Sequence, residues 1–169
     1  ELDGQIVSGR YELSAAMSAD EILTKLVNGD VIVRRFTIPE GLTVAMMADL
    51  LEEAQVVERQ AFLDAVAAAA AENPYLPAGA ELVQPMEGYL FPATYQYHSG
   101  ITAEDVVAML TERFEAVWTP DLLARAEEMG LSVHEVVTLA SIVETEARVA
   151  AEQPDIAGVY LNRLAVGMP

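Results

Sequence analysis

No cysteine occurs anywhere in the 169 residues. Disulfide staples, thiolate metal ligands and cysteine nucleophiles are therefore excluded. Histidine is nearly as scarce, with His98 and His134 the two copies. Neither has an acid and a hydroxyl arranged around it, so both are expected in surface or capping roles. Two histidines among dispersed acids give no metal-ligand spacing, and no Gly-rich phosphate loop is present. Positive charge is also sparse. Nine Lys and Arg stand against 27 Asp and Glu, a net charge of −18, and Arg34-Arg35 is the one adjacent basic pair. Such a surface repels nucleic-acid phosphates and anionic lipid head groups, which excludes nucleic acid as a partner. No apolar run approaches the about 20 residues that cross a bilayer. The chain opens on Glu1-Leu2-Asp3, without an initiator Met, a basic n-region or an apolar h-region. It is accordingly expected to be an excised piece of something longer.

Apolar residues are plentiful, at 53% of the chain with a mean hydropathy of +0.26. That supports a real core in one domain with an accessory lobe, or in two small domains sharing an interface. Residues 5–13 suit a strand with a glycine bulge. Ser18-Ala19-Asp20-Glu21 is a capping-box pattern that opens a helix stopped by Gly29. Residues 31–38 are β-branched and partly alternating, a second strand. Pro39-Glu40-Gly41 turns the chain, and Thr43 caps a helix to about residue 54. A helix over 58–72 follows, then a Pro- and Gly-rich stretch over 74–100 of loop or short strand. The remainder is helical. Thr102, Thr119-Pro120 and Ser132 mark three starts, and the last two helices are predicted over about 132–149 and 154–166.

Pro85-Met86-Glu87-Gly88-Tyr89-Leu90-Phe91-Pro92-Ala93-Thr94-Tyr95 places one carboxylate among apolar and aromatic residues, with no base nearby in sequence. A carboxyl that loses hydration there is disfavoured as the anion, the condition a proton donor needs. Gly88 permits close approach by a ligand or another backbone. The competing local reading is a packed corner in which Glu87 only caps a turn. A second oddity lies in the helix over 132–149. Val133, Val136, Val137, Ala140, Val143 and Ala147 form one apolar stripe, and Glu144 falls about 40° from Ala140, inside it. In the last helix, Arg163 sits on the face of Ile156, Val159, Tyr160 and Leu164. Two readings stand. Either Glu144 pairs with Arg163 or Arg148 in an ion pair, or the helices form a polar cleft floor facing the Glu87 loop. Met46, Met47, Met109 and Trp118 sit at packing positions.

Three motifs resemble one family. Glu87-Gly88-Tyr89-Leu90-Phe91-Pro92-Ala93-Thr94-Tyr95 resembles the Glu-Gly-aromatic-x-Phe-Pro-Asp-Thr-Tyr signature of the endolytic murein transglycosylases, the MltG (YceG-like) family. Leu139-Ala140-Ser141-Ile142-Val143-Glu144-Thr145-Glu146 resembles its Leu-Ala-Ser-Ile-x-Glu-Lys-Glu helix. Ile156-Ala157-Gly158-Val159-Tyr160-Leu161-Asn162-Arg163-Leu164, with Gly167-Met168-Pro169, resembles its Ala-x-Val-Phe-x-Asn-Arg-Leu…Gly-Met stretch. Tyr11-Glu12-Leu13 and Thr37-Ile38-Pro39-Glu40-Gly41 look like the LysM-like lobe that precedes the catalytic domain. Three motifs in order are far more specific than any one alone.

The resemblance implies an α+β fold: a small LysM-like βαβα lobe over 1–55, then a mostly helical, truncated transglycosylase catalytic domain over 56–169. It implies a lytic transglycosylase that cleaves the β-1,4 bond between N-acetylmuramic acid and N-acetylglucosamine in nascent peptidoglycan, leaving 1,6-anhydro ends. Glu87 becomes the catalytic acid/base. Tyr89 and Tyr95 become candidate walls of the sugar site, and Glu144, Asn162 and Arg163 candidates for orienting sugar or peptide. No metal or cofactor is implied. The implied partners are glycan strands and peptidoglycan synthases, at the extracytoplasmic face of the bacterial cytoplasmic membrane. Membrane contact would come only through an anchor absent from this stretch. Three departures stand out. Ala93 replaces the signature Asp, Gln153 stands where many relatives have Arg, and Pro169 precedes the family's Gln-x-Asp-Pro-Thr segment and remaining sheet. The rivals are a non-catalytic peptidoglycan-binding module, a scaffold with an acidic docking face, and a hydrolytic muramidase with a second carboxylate across the sugar.

Overall fold

Five of the seven α-helices among the described residues start where a side chain accepts from an otherwise unpaired amide. The computed structural model describes residue 6 and residues 9–77 and 82–168. Ser18 accepts from the Glu21 amide while Glu21 accepts from the Ser18 amide at 2.7 Å, opening α1 (Ala19–Asn28). Gly29, at φ 70°, ends that helix in the left-handed region. After β1 (Val33–Thr37), Thr43 caps α2 (Val44–Glu53). Next come α3 (Arg59–Glu72), β2 (Thr94–His98) and α4 (Ala103–Glu115), which opens on a capping box between Thr102 and Asp105. Thr119 and Pro120 start α5 (Pro120–Glu128). A Ser132–Glu135 capping box starts α6 (Val133–Glu146), and α7 (Gln153–Ala165) follows a short 3-10 turn. The expected helix to residue 149 stops at Glu146, and the Arg148 amide bonds the Glu152 carboxylate instead.

The expected strand over 5–13 lies partly outside the described residues. In its described part Tyr11 makes an isolated antiparallel bridge to Val31, and Arg10 accepts from the Ile32 amide. The regular sheet is elsewhere. β1 pairs antiparallel with β2, with Phe36 opposite Tyr95 and Thr37 opposite Thr94. Phe36, Tyr95 and Tyr97 share the inner face, where the Phe36 ring stacks on Tyr95 at 5.3 Å. A two-stranded ribbon is marginal alone, so its inner face must be covered.

α2, α3 and α4 provide the cover. Ala48, Leu51, Phe62, Val106 and Leu110 are wholly buried in one cluster with Phe36, Ile38, Met86 and Tyr89. Burying each large side chain contributes about 1.5–3 kcal/mol. This cluster draws on residues from both sides of position 55. The helices beyond residue 119 are different: Ala126 and Val143 are their only buried hydrophobic residues, and α7 has none. From the apolar stripe of α6, Val133 and Val137 pack half-buried against this cluster, while Val143 is buried outside it and Ala140 is exposed. No helix among the described residues is long and apolar enough to cross a membrane.

Candidate active site

The Glu87 loop is fixed from below. Met86, Tyr89 and Leu90 are buried, and the Phe91 amide bonds the Leu110 carbonyl at 3.2 Å. Tyr95 donates its hydroxyl to the Phe91 carbonyl at 2.6 Å, and Arg113 lies over the Phe91 ring at 5.9 Å. At Ala93, the site of the missing signature Asp, the carbonyl accepts from the Ile38 amide at 2.9 Å and prolongs the strand pairing. Gly88 has φ +84°, and a Cβ there would meet Val137 of α6 at 2.6 Å. Glycine is required on both counts. The close approach expected at this glycine is thus made by an α6 side chain.

With its neighbours anchored inward, Glu87 is left half-buried on the other side of the turn. Its two oxygens accept from the Val44 amide, at 3.0 and 3.1 Å. Val44 is the first residue of α2, so the carboxylate sits at the positive end of that helix. Sequence suggested a purely apolar setting. The structure corrects it, because the contact spans 43 residues. Glu87 has no cationic partner among the described residues, where the ion pairs are Arg59–Asp49 and Arg125–Glu128.

Glu87 opens on a cavity of about 560 Å³, lined also by Thr43, His134, Thr138, Ser141 and Glu144. That volume lies within the range of small-ligand clefts. A second cavity of about 760 Å³, lined by Trp118, Leu122 and Met129 among others, shares Gly88, Val137 and Glu144 with the first. Glu144 thus lies in the wall of the Glu87 cavity. It is exposed and accepts from the Gln153 amide at 3.2 Å. Among the described residues it forms neither expected ion pair, with Arg163 or with Arg148. Gln153, the other departure from the family pattern, supplies the neutral partner. Of the two charged residues in the cleft-floor reading, Glu144 of α6 lies in the cavity wall and Arg163 of α7 does not.

The remaining candidates do not join Glu87. Tyr89 is 1% exposed, packed on Phe114 and His134, and Tyr95 is buried against Phe36. Neither lines either cavity, so both are corrected from sugar walls to supports of the loop. Burial pushes both phenols above their usual range, partly offset at Tyr95 by Arg113. Asn162 is exposed on α7, and Arg163 lies over the Tyr160 ring at 5.6 Å. Both stand outside the lining of the two cavities. Sequence reasoning missed His134, which the cavity does include. Its signal was indirect: a histidine one residue inside a strong helix start. Among the described residues no group of three His, Asp or Glu side chains is placed to hold a metal ion.

The geometry can be set against known proteins. The model of the YceG-like family matches residues 1–169. The endolytic murein transglycosylase of Streptococcus pneumoniae serotype 2 (strain D39 / NCTC 7466) is 30% identical over 186 residues, covering 96% of this chain and 33% of that protein. That of Bacillus subtilis (strain 168) is 29% identical over 174 residues, covering 96% of this chain and 48% of that protein. The chain thus spans a third to about half the length of these curated relatives. A crystal structure of a YceG-like protein from Listeria monocytogenes superposes with a TM-score of 0.68 at 28% identity, covering 97% of this chain and 58% of that one. A family match over its whole length, on a fold shared with that structure, makes the chain a member of the YceG-like family.

Proposed function

We propose that the protein containing this chain is an endolytic lytic transglycosylase of peptidoglycan, with Glu87 as its acid and base. The observation that carries this reading is the placement of Glu87, the acid of the motif, on a cavity wall with one amide donor and no cation among the described residues. The names of the relatives supply the reaction class.

In the first step Glu87 acts as the acid. One oxygen keeps the Val44 amide while the other gives its proton to the oxygen linking C1 of N-acetylmuramic acid to N-acetylglucosamine. The C1–O bond breaks, the N-acetylglucosamine hydroxyl leaves, and positive charge develops at C1. The carboxylate, now stabilised by the α2 N-terminus, takes the proton of the muramoyl C6 hydroxyl. O6 bonds to C1, giving the 1,6-anhydro end and returning Glu87 to its acid form. No water is added. One carboxyl suffices because the nucleophile belongs to the substrate, at high effective concentration.

One observation favours a second reading. Glu144 lines the same cavity and supplies the second carboxylate that a hydrolytic muramidase requires. Mass spectrometry of products from defined glycan strands, treated with the full-length protein, separates the two. Anhydro ends that vanish in Glu87→Gln support transglycosylation. Reducing ends carrying one added water support hydrolysis, and intact strands that remain bound support a binding module.

The same reading divides the chain into a LysM-like lobe over 1–55 and part of a catalytic domain over 56–169. It places the protein at the extracytoplasmic face of the cytoplasmic membrane, beside peptidoglycan synthases. The shared core implies that the two parts unfold together. Two separate transitions in a calorimetric scan would count against that.

A further inference from the structure

We propose that His134 is a sugar-binding residue of the Glu87 cleft, donating a hydrogen bond from Nε2 to an acceptor oxygen of the glycan. This rests on reading the cleft as a glycan site and goes beyond it, because nothing in the acid/base scheme uses a histidine. The buried Tyr89 hydroxyl lies 2.9 Å from His134 Nδ1, and the two rings stack at 6.2 Å with 6° between their planes. Tyr89 has no room to move: it is 1% exposed, and Phe114 sits 5.0 Å from its ring. The imidazole is thus held in plane and by one nitrogen.

The same contact fixes which nitrogen carries the proton. Among the described residues the Tyr89 hydroxyl has no other hydrogen-bond partner. A buried phenol that does not donate leaves its proton unsatisfied, which is costly. Tyr89 therefore donates, Nδ1 accepts, and the neutral ring bears its hydrogen on Nε2.

Nε2 is open. It has no protein partner among the described residues. It is not sealed either, since Ser99 Oγ is the one buried side-chain polar atom found without a partner there. His134 lines the cavity that Glu87 and Glu144 line. Those carboxylates offer acceptors to sugar hydroxyls, and an oriented N–H supplies the complementary donor for a hydroxyl, lactyl or acetamido oxygen.

The test uses the full-length protein in a Glu87→Gln background, with glycan-strand fragments titrated by calorimetry. His134→Ala is expected to weaken binding about tenfold, the scale of one lost hydrogen bond. His134→Gln, whose amide nitrogen reaches the Nε2 position, restores most of the affinity. His134→Asn, whose nitrogen falls at Nδ1, does not. With Glu87 intact, His134→Ala raises KM and leaves kcat largely unchanged. De-N-acetylated strands identify the oxygen: if the His134 effect disappears it is the acetamide, and if it persists it is a hydroxyl or lactyl oxygen. Equal affinity for His134→Ala overturns the proposal. So does a loss shared by Gln and Asn that tracks a fall in Tm, which marks a structural role. Strands that bind through His134 but acquire no anhydro ends with Glu87 intact would sink the transglycosylase reading and leave this inference standing. Strands cut to anhydro ends without dependence on His134 would do the reverse, and strands neither bound nor cut sink both.

Discussion

The block from β1 to α4 and the helical arm from α5 to α7 obey the same local rules and meet different fates. Both are opened by well-formed caps, at Thr102 in the first and at Thr119 and Ser132 in the second. In the block the apolar faces meet: Leu51, Phe62, Val106 and Leu110 are fully buried. In the arm, Leu122, Val159, Leu164 and Val166 remain exposed. Secondary structure therefore does not report where the core is. A cap and an amphipathic period make a helix, but only an opposing surface makes a buried face. The Glu87 cleft lies where the two regions meet, with the anchored loop on one wall and the loosely covered α6 on the other.

The largest expected difference between the regions is in stability. Leu110→Ala, at a fully buried position, should cost about 2–5 kcal/mol. Leu164→Ala, at a position 62% exposed, should stay within about 0.5 kcal/mol. Urea titration of both variants checks this, and similar losses would mean that the arm is as well packed as the block.

The seam comes next. Gly88→Ala forces an alanine to φ +84° and drives its Cβ into Val137, so a cost of about 1–3 kcal/mol is expected. Adding Val137→Ala should recover the part due to contact and leave the backbone part. A double-mutant cycle without coupling would show that α6 does not press on the loop.

A smaller effect belongs to the arm's own helix start. Ser132→Ala should cost about 1 kcal/mol by removing the cap of α6. Glu135, held below the usual carboxylate range first by the Ser132 amide and then by its hydroxyl, contributes stability above its unfolded value. That contribution is lost as pH falls through the lowered value. Glu135→Gln should therefore flatten the acid limb of a stability–pH profile.

The smallest effect at neutral pH, and the one confined to the block, comes from Tyr89 and Tyr95. Burial raises both phenols above 10.0. Their contribution is complete below that value and is lost as pH rises through the folded-state value. Tyr95→Phe and Tyr89→Phe should each reduce the loss of stability in alkaline titration. An unchanged alkaline limb in both would show that these phenols ionise without opening the core.

Local features were legible because they are set by neighbours in the chain. The capping boxes at Ser18, Thr102 and Ser132 and the left-handed stop at Gly29 follow from residues within a few positions. Motif order identified the family and singled out Glu87. What escaped were contacts between distant residues. The ribbon joins Thr37 to Thr94 across 57 residues, Glu87 meets Val44 across 43, and Tyr89 meets His134 across 45. Tyr89 and Tyr95 show the limit well, because an aromatic beside a motif acid fits a sugar wall or a core equally until packing chooses.

The amino-acid order alone determined where the capped helices begin, the strongly acidic net charge and the position of the motif acid, since each depends on local hydrogen bonds or on summed charge. Tertiary structure decided which apolar faces are covered, which amide holds Glu87 and which side chains line its cleft. Those outcomes depend on surfaces brought together from far apart in the chain, and no short window of sequence contains both partners.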